Sequence, residues 1–217
     1  MSTVAVLPVK RFAGAKQRLG EHLGPGSRRR LAEAMLSDVL IALRRSQRVD
    51  EVVVVTGEPT AEALARGHGA AVVRDPDDAG HSQAALLGVA WALERGATRA
   101  LLVPGDCPAL LPAELDALLA PGPARREVVV VPDRHGTGTN ALVLSPPDAI
   151  RPSFGPGSRA RHESLAHAAQ VECRVAEPFS LALDVDTAED LEALAQALGE
   201  RTGGAANTRG LLGRLER

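Results

Sequence analysis

At 217 residues the chain has the length for one well-buried domain, and two would be cramped. Its 25 basic and 27 acidic residues leave a net charge of −2, and aromatics make up only 2%, which excludes the basic surface and the stacking platforms of a polynucleotide binder. Hydrophobic residues, at 45%, suffice for a core of Val, Leu and Ala. No run has the length of a membrane span, the short apolar start lacks a cleavage site, and Cys107 and Cys173 lack metal or disulfide spacing, so the chain reads as soluble and cytoplasmic.

In chain order, short β-branched runs alternate with helical stretches. A strand at 4–7 breaks at Pro8 into a loop carrying Lys10, Arg11, Gly14, Lys16 and Arg18, and a helix follows over 28–47. A strand opening into a glycine-containing cationic loop and then a helix is one way α/β folds hold phosphates, through backbone N–H groups and lysines. The spacing is neither the P-loop pattern nor GxGxxG, and a plain solvated turn is the competing reading. Next come a strand at 51–55, a helix at 59–66, a strand at 71–73 and a helix at 82–95 that follows Gly80-His81, with Ser82 as a candidate N-cap.

The strand at 100–103 runs into Pro104-Gly105-Asp106-Cys107-Pro108. A carboxylate fixed directly after a buried strand suits a hard cation such as Mg²⁺ bridging phosphate oxygens, or else only stabilises the turn. A helix at 112–119 precedes strands at 127–131 and 141–144, the latter entered through Gly136-Thr137-Gly138-Thr139-Asn140, either an anion-receptive turn or an ordinary hairpin. Then Phe154-Gly155-Pro156-Gly157-Ser158 opens a helix at 159–169 with Arg159, Arg161 and His162 in its first turn. Cations there oppose the helix dipole and make sense if an anion binds at that N-terminus. Finally Asp184 and Asp186 lie two apart, on one side of an extended segment, before a helix at 188–198. Two such carboxylates repel each other unless a cation sits between them, which suggests Mg²⁺; Asp186 or Thr187 is also a candidate cap for the helix, and both readings can hold, with one Asp capping and the other binding metal.

The all-apolar runs at 52–55 and 128–131 mark central strands covered on both faces. The fold class is therefore α/β: one three-layer α/β/α domain over residues 1–198 with a mostly parallel sheet, its ligands outside the carboxyl ends of the strands. Residues 199–217 read as a frayed, flexible tail.

The segments LPVKRFAGAKQRL, GDCPAL, GTGTNAL, FGPGSRARH and LDVDTAEDL, in that order within residues 4–191, make the chain resemble the CofC/FbiD family of guanylyltransferases of deazaflavin coenzyme F-420 biosynthesis. That family belongs to the nucleotide-diphospho-sugar transferase (GT-A, MobA-like) nucleotidyltransferases. The resemblance implies transfer of GMP from GTP to a small phosphorylated carboxylic acid: phosphoenolpyruvate, 2-phospho-L-lactate or 3-phosphoglycerate. The Arg-rich, Lys-poor composition suits a high-GC genome and tilts the choice to phosphoenolpyruvate. The resemblance further implies GTP over Pro8, Lys10, Gly14, Lys16, Arg18 and Ser82, with Lys10, Lys16 and Asp106 catalytic. Mg²⁺ would lie on Asp106 with Asp184 or Asp186, and the acceptor on Thr139, Asn140, Gly155 and Ser158, with Arg159 beside them. This chain reads Gly80-His81-Ser82 where the family often has Gly-Leu-Asn, and Gly105-Asp106-Cys107-Pro108 where it often has Ala-Asp-Leu-Pro.

An acceptor phosphate is already mostly dianionic at neutral pH, with a second pKa of ~6, so this chemistry needs no general base. Two other readings stand beside it. One is a nucleotidyltransferase of the same fold with another base or acceptor, such as a molybdopterin or sugar-phosphate enzyme. The other is a non-catalytic nucleotide-binding module whose carboxylates are only caps. The residues leave open whether the chain acts as a monomer or a homodimer.

Overall fold

The computed structural model describes residues 1–14, 16–121 and 126–215. Seven strands form one sheet: β1 (Thr3–Val9), β2 (Glu51–Thr56), β3 (Ala71–Arg74), β4 (Arg99–Leu102), β5 (Glu127–Pro132), β6 (Thr139–Ser145) and β7 (Glu172–Val175). Their order is β3-β2-β1-β4-β6-β5-β7. β6 runs antiparallel to both β4 and β5, and every other pair is parallel. The helices are α1 (Pro25–Arg45), α2 (Pro59–Gly67), α3 (His81–Glu94), α4 (Pro112–Leu118), α5 (Ser158–Ala168), α6 (Ala188–Glu200) and α7 (Ala206–Leu215). Each strand and helix expected from the sequence is present, with ends displaced by a few residues at most; β7 and α7 are additional.

Alternate residues of the Val-rich strands face opposite layers, as strand periodicity requires. Leu7, Val52, Val54, Leu101 and Val129 pack against Leu36, Val39, Leu40 and Leu43 of α1 and Leu115 of α4. Val6, Val53, Val55, Leu102 and Val128 pack against Ala84, Ala85 and Val89 of α3 and Ala166 of α5. Full burial of each such Val or Leu contributes roughly 1.5–3 kcal/mol. Helix α3 approaches the sheet closely because Gly88 has no side chain: a Cβ there would lie 2.1 Å from Val6 Cγ1.

Over residues 199–215 the sequence reading of a frayed tail is corrected by the structure, and residues 216–217 lie outside the described residues. Helix α7 docks on α1, and the buried Asp38 carboxylate accepts four hydrogen bonds from the first turn of α7. Two come from Asn207 (backbone 3.1 Å, side chain 2.9 Å) and two from Thr208 (backbone 2.8 Å, hydroxyl 2.7 Å). A carboxylate at this position satisfies N–H groups that a helix start leaves unpaired and complements its dipole. Leu211 then joins Leu31 and Met35 of α1, Leu194 and Leu198 of α6, Leu19 and Val185 in a third apolar core.

The chain leaves β1 toward β2 and β3 on one side, then returns to place β4 on the other. The crevice at the carboxyl ends of β1 and β4 is thus the switch point of the sheet, where open α/β folds bind ligands.

Candidate active site

The loop after β1 is pinned from below. Phe12 is buried in the α1-side core, and its backbone N–H donates to Glu58 Oε2 at 3.0 Å. Leu19 is fully buried in the third core. Between these anchors Lys16 takes a left-handed backbone (φ 55°), a conformation uncommon outside glycine and enriched where a site imposes it. The loop walls a cavity of about 460 Å³ lined by Pro8, Lys10, Gly14, Lys16, Arg18, His81, Asp106 and Asp186, among others. Five of the six residues expected on the nucleotide are therefore gathered in one place. The sixth, Ser82, is not among them. It sits one residue inside α3, whose N-cap is Gly80, and its hydroxyl accepts the Phe154 N–H at 2.9 Å. His81 holds the place at the cavity wall instead.

The carboxylates come together because the 184–186 segment crosses the loop after β4, where the Val185 N–H donates to the Asp106 carbonyl at 3.3 Å. The Lys16 ammonium lies between them, bonded to Asp106 Oδ2 and, at 3.0 Å, to Asp186 Oδ1. Its side chain is only 7% exposed. Burial by itself would discharge such a lysine, but Asp106 and Asp186 outweigh it and hold the pKa above the ordinary lysine range. Burial, reinforced by Asp106, pushes Asp184 up to about 6, against the pull of its hydrogen bond from Asn140. Asp106 Oδ1 is buried without a hydrogen-bond partner. Capping of α6 falls to Thr187 and Asp190, which form a reciprocal capping box, so neither Asp184 nor Asp186 caps the helix.

Among the described residues no three His, Cys, Asp or Glu side chains close into a ready metal cage. Mg²⁺ seldom needs one, since it is held by one or two carboxylates with water and phosphate oxygens completing the shell. The orphaned Asp106 oxygen and the ammonium already drawn between two carboxylates fit a hard cation at this point.

The residues expected on the acceptor lie on the turn before β6 and on the 155–158 segment at the start of α5, and Asn140 joins that turn to Asp184. The Arg159 N–H donates to the Thr137 carbonyl at 3.2 Å and Thr139 Oγ1 meets His162 Nδ1 at 3.0 Å, so the turn before β6 is joined to the start of α5. Gly155 is exposed on the loop above, with φ of 113°, and Ser158 is buried as the first residue of α5. Asn140 is committed elsewhere: its amide donates to the Leu181 carbonyl at 2.8 Å and to Asp184 Oδ1 at 3.1 Å. It positions a carboxylate, and its amide has no free donor for an acceptor.

The basic first turn of α5 also proves different from its sequence reading. Arg161 holds the 153–156 loop by hydrogen bonds to Ser153 Oγ and to the carbonyls of Ser153, Phe154 and Pro156. Arg159 bonds Glu163 and the Gly136 carbonyl. His162 is fully buried, and burial, with Arg161 nearby, lowers its pKa to about 4, so it is no cation at all. These side chains have protein partners that account for them without an anion. Burial likewise lowers His81 to about 4. Phe154 packs edge-on against both rings, 4.5 Å from His81 and 5.2 Å from His162, and so links the cavity to the start of α5. Cys107 is buried with its thiol pushed well above the usual range, and is inert.

A family model described as guanylyl transferase CofC like matches residues 3–203. The chain belongs to this family. Among CofC-like relatives, a phosphoenolpyruvate guanylyltransferase of Conexibacter woesei is 56% identical over 218 residues, covering 100% of this chain and 98% of its own. A 3-phospho-D-glycerate guanylyltransferase of Phenylobacterium zucineum is 38% identical, covering 91% of this chain and 92% of its own. A solved Methanothermobacter nucleotidyl transferase shares the fold with a TM-score of 0.64 at 20% identity, covering 92% of this chain and 98% of its own. Among the described residues no helix is long and apolar enough to cross a membrane.

Proposed function

We propose that this chain transfers GMP from GTP to phosphoenolpyruvate, forming enolpyruvyl-diphospho-guanosine for deazaflavin coenzyme F-420 biosynthesis and releasing pyrophosphate. The observation that carries the reading is the 56% identity, over the whole chain, to a phosphoenolpyruvate guanylyltransferase. The cavity chemistry supports it. Lys10, Lys16 and Arg18 line the cavity with cations for a triphosphate, and the Asp106 and Asp186 carboxylates line it beside the Lys16 ammonium.

In this reading an acceptor phosphate oxygen attacks the α-phosphorus of GTP. The bond from that phosphorus to the bridging oxygen breaks, and its electrons leave with pyrophosphate. Lys10 and Arg18 hold the triphosphate against the loop, and Lys16 moves its ammonium from the carboxylates toward the charge that develops on the phosphates. Asp106, with Asp184 or Asp186, would hold Mg²⁺, which supplies Lewis-acid neutralisation of phosphate oxygens when bound. Thr139, Gly155 and Ser158 orient the acceptor. Catalysis is positioning and charge neutralisation, and no side chain has to remove a proton.

The test is pyrophosphate release and product mass from each of the four nucleoside triphosphates, with Mg²⁺, against phosphoenolpyruvate, 2-phospho-L-lactate, 3-phosphoglycerate and a sugar phosphate without a carboxylate. The expected outcome is product with GTP and phosphoenolpyruvate, slower transfer to 2-phospho-L-lactate, and none to the sugar phosphate. Tight GTP binding with no pyrophosphate from any acceptor would sink the reading in favour of a binding module.

A further inference from the structure

His162 has no work in the chemistry above, yet it is fully buried with both ring nitrogens engaged. The Ser153 backbone N–H lies 2.9 Å from Nε2, and a backbone amide can only donate. Nε2 must therefore offer its lone pair. A neutral ring with Nε2 bare carries its proton on Nδ1, and Nδ1 lies 3.0 Å from Thr139 Oγ1. Nδ1–H thus donates to Oγ1, the threonine cannot spend its own proton on the ring, and that proton is directed away from His162. The T-shaped contact with Phe154 and the hydrogen bond from the Ser153 amide hold the orientation.

We infer that His162 is a positioning residue that fixes the Thr139 hydroxyl as a hydrogen-bond donor toward an anionic oxygen of the acceptor. The inference rests on the reading of Thr139 as an acceptor contact. It adds a polarity to that contact. A threonine hydroxyl left alone can donate or accept, and only the donating form favours a carboxylate or phosphate oxygen. The ordering comes from the protein before the acceptor arrives, so it costs nothing at the moment of binding. The device is legible only in three dimensions, because Thr139, Ser153 and His162 are contributed by a strand start, a loop and a helix.

Two experiments test it. Nitrogen-15 NMR of the histidine rings in the ligand-free wild-type protein at neutral pH, with His162 assigned by its loss in a variant, should show the Nδ1–H tautomer. The Nε2–H tautomer or a charged ring would overturn the inference, whatever the protein's activity. The second uses His162→Gln and His162→Asn. The Gln amide reaches the Nε2 position and can still accept from Ser153, but nothing replaces the donor to Thr139. The Asn amide places an N–H where Nδ1 was. His162→Gln should raise the KM for phosphoenolpyruvate about tenfold, the cost of one charge-assisted bond, with the KM for GTP unchanged. His162→Asn should recover most of that loss. In a Thr139→Val background His162→Gln should add nothing further, whereas an equal penalty in both backgrounds would make His162 merely structural. Wild-type protein that fails to use phosphoenolpyruvate would refute the proposed function, while the tautomer measurement would still stand or fall by itself.

Discussion

Asp106→Asn separates the electrostatic role of the central carboxylate from its place in the turn. The amide nearly preserves the shape, so the loop after β4 and its backbone bond from Val185 should survive. What changes is one unit of negative charge at a point where Oδ2 holds the Lys16 ammonium and Oδ1 is buried without a partner. If that oxygen serves a cation on the triphosphate, its loss should lower turnover by at least ~100-fold, a few kcal/mol of transition-state stabilisation. Stability should respond far less. Lys16 keeps Asp186 at 3.0 Å, and removing Asp106 relieves part of the repulsion that helps hold Asp184 up to about 6. These opposed effects should leave a net change within ~1 kcal/mol, or about 2–4 °C in Tm for a chain of this size. The assay is pyrophosphate release at saturating GTP and phosphoenolpyruvate over a Mg²⁺ titration, with a thermal melt on the same preparation. Turnover within about threefold of wild type at unchanged Mg²⁺ dependence would refute the reasoning and reduce Asp106 to a turn residue.

The remaining predictions concern the neighbours of that carboxylate and the folded state. Asp184→Asn and Asp186→Asn should both lose turnover with little change in melting, whereas Thr187→Ala, which breaks the α6 capping box, should lose about 1 kcal/mol of stability in denaturant titrations and keep its rate. Lys16→Ala should raise the KM for GTP more than that for the acceptor in steady-state kinetics; equal rises would remove the lysine from the triphosphate. His81 and His162, both lowered to about 4, stay neutral in the folded protein while the unfolded chain protonates near ~6.5. Their contribution is complete above that pH and is lost as the pH falls from ~6.5 toward 4, opposed in part by Asp184, whose raised pKa acts with the other sign. Unfolding free energies measured from pH 7 to 4.5 should decline, and His162→Gln should flatten the slope. Leu211→Ala should cost roughly 2–5 kcal/mol by the same measurement, because it empties a packed position between α7 and α1.

Where the physics is local, the chain could be read directly. Val-rich runs covered on both faces are legible as central strands, and Asp184 and Asp186 two residues apart are legible as a same-side pair. The cationic loop at 10–18 stood out because it follows a buried strand at once. Legibility failed where a residue's meaning comes from a distant partner. Lys16 stands out as one of several loop cations, but its burial between Asp106 and Asp186 cannot be read until the 184–186 segment is known to cross the loop after β4. His162 looks like a helix-start cation, and only its burial against Ser153 and Thr139 makes it neutral. Asn140 sits among small polar residues that suggest a ligand turn, while its amide is taken by Asp184 and Leu181. Helix α7 is short, with Gly210 and Gly213 inside or near its apolar stripe, so its periodicity was too weak to stand against the turn residues at 202–204. Capping of α6 was half legible: Asp186 and Thr187 both offered a cap, and only the reciprocal bonds of Thr187 with Asp190 decide between them.

Leu19, which anchors the end of the loop after β1, is buried against side chains from α6 and α7, more than 170 residues further along the chain. During synthesis, residues 16–19 leave the ribosome long before residues 194–211 do. Strands β1 to β4 can pair and bury their Val and Leu side chains in the meantime, but the floor beneath Lys16 stays incomplete. A nascent chain arrested before α7 would hold most of its sheet and lack the finished support of the loop that carries Lys16. The order of translation therefore makes the cavity wall one of the last parts of this protein to be completed.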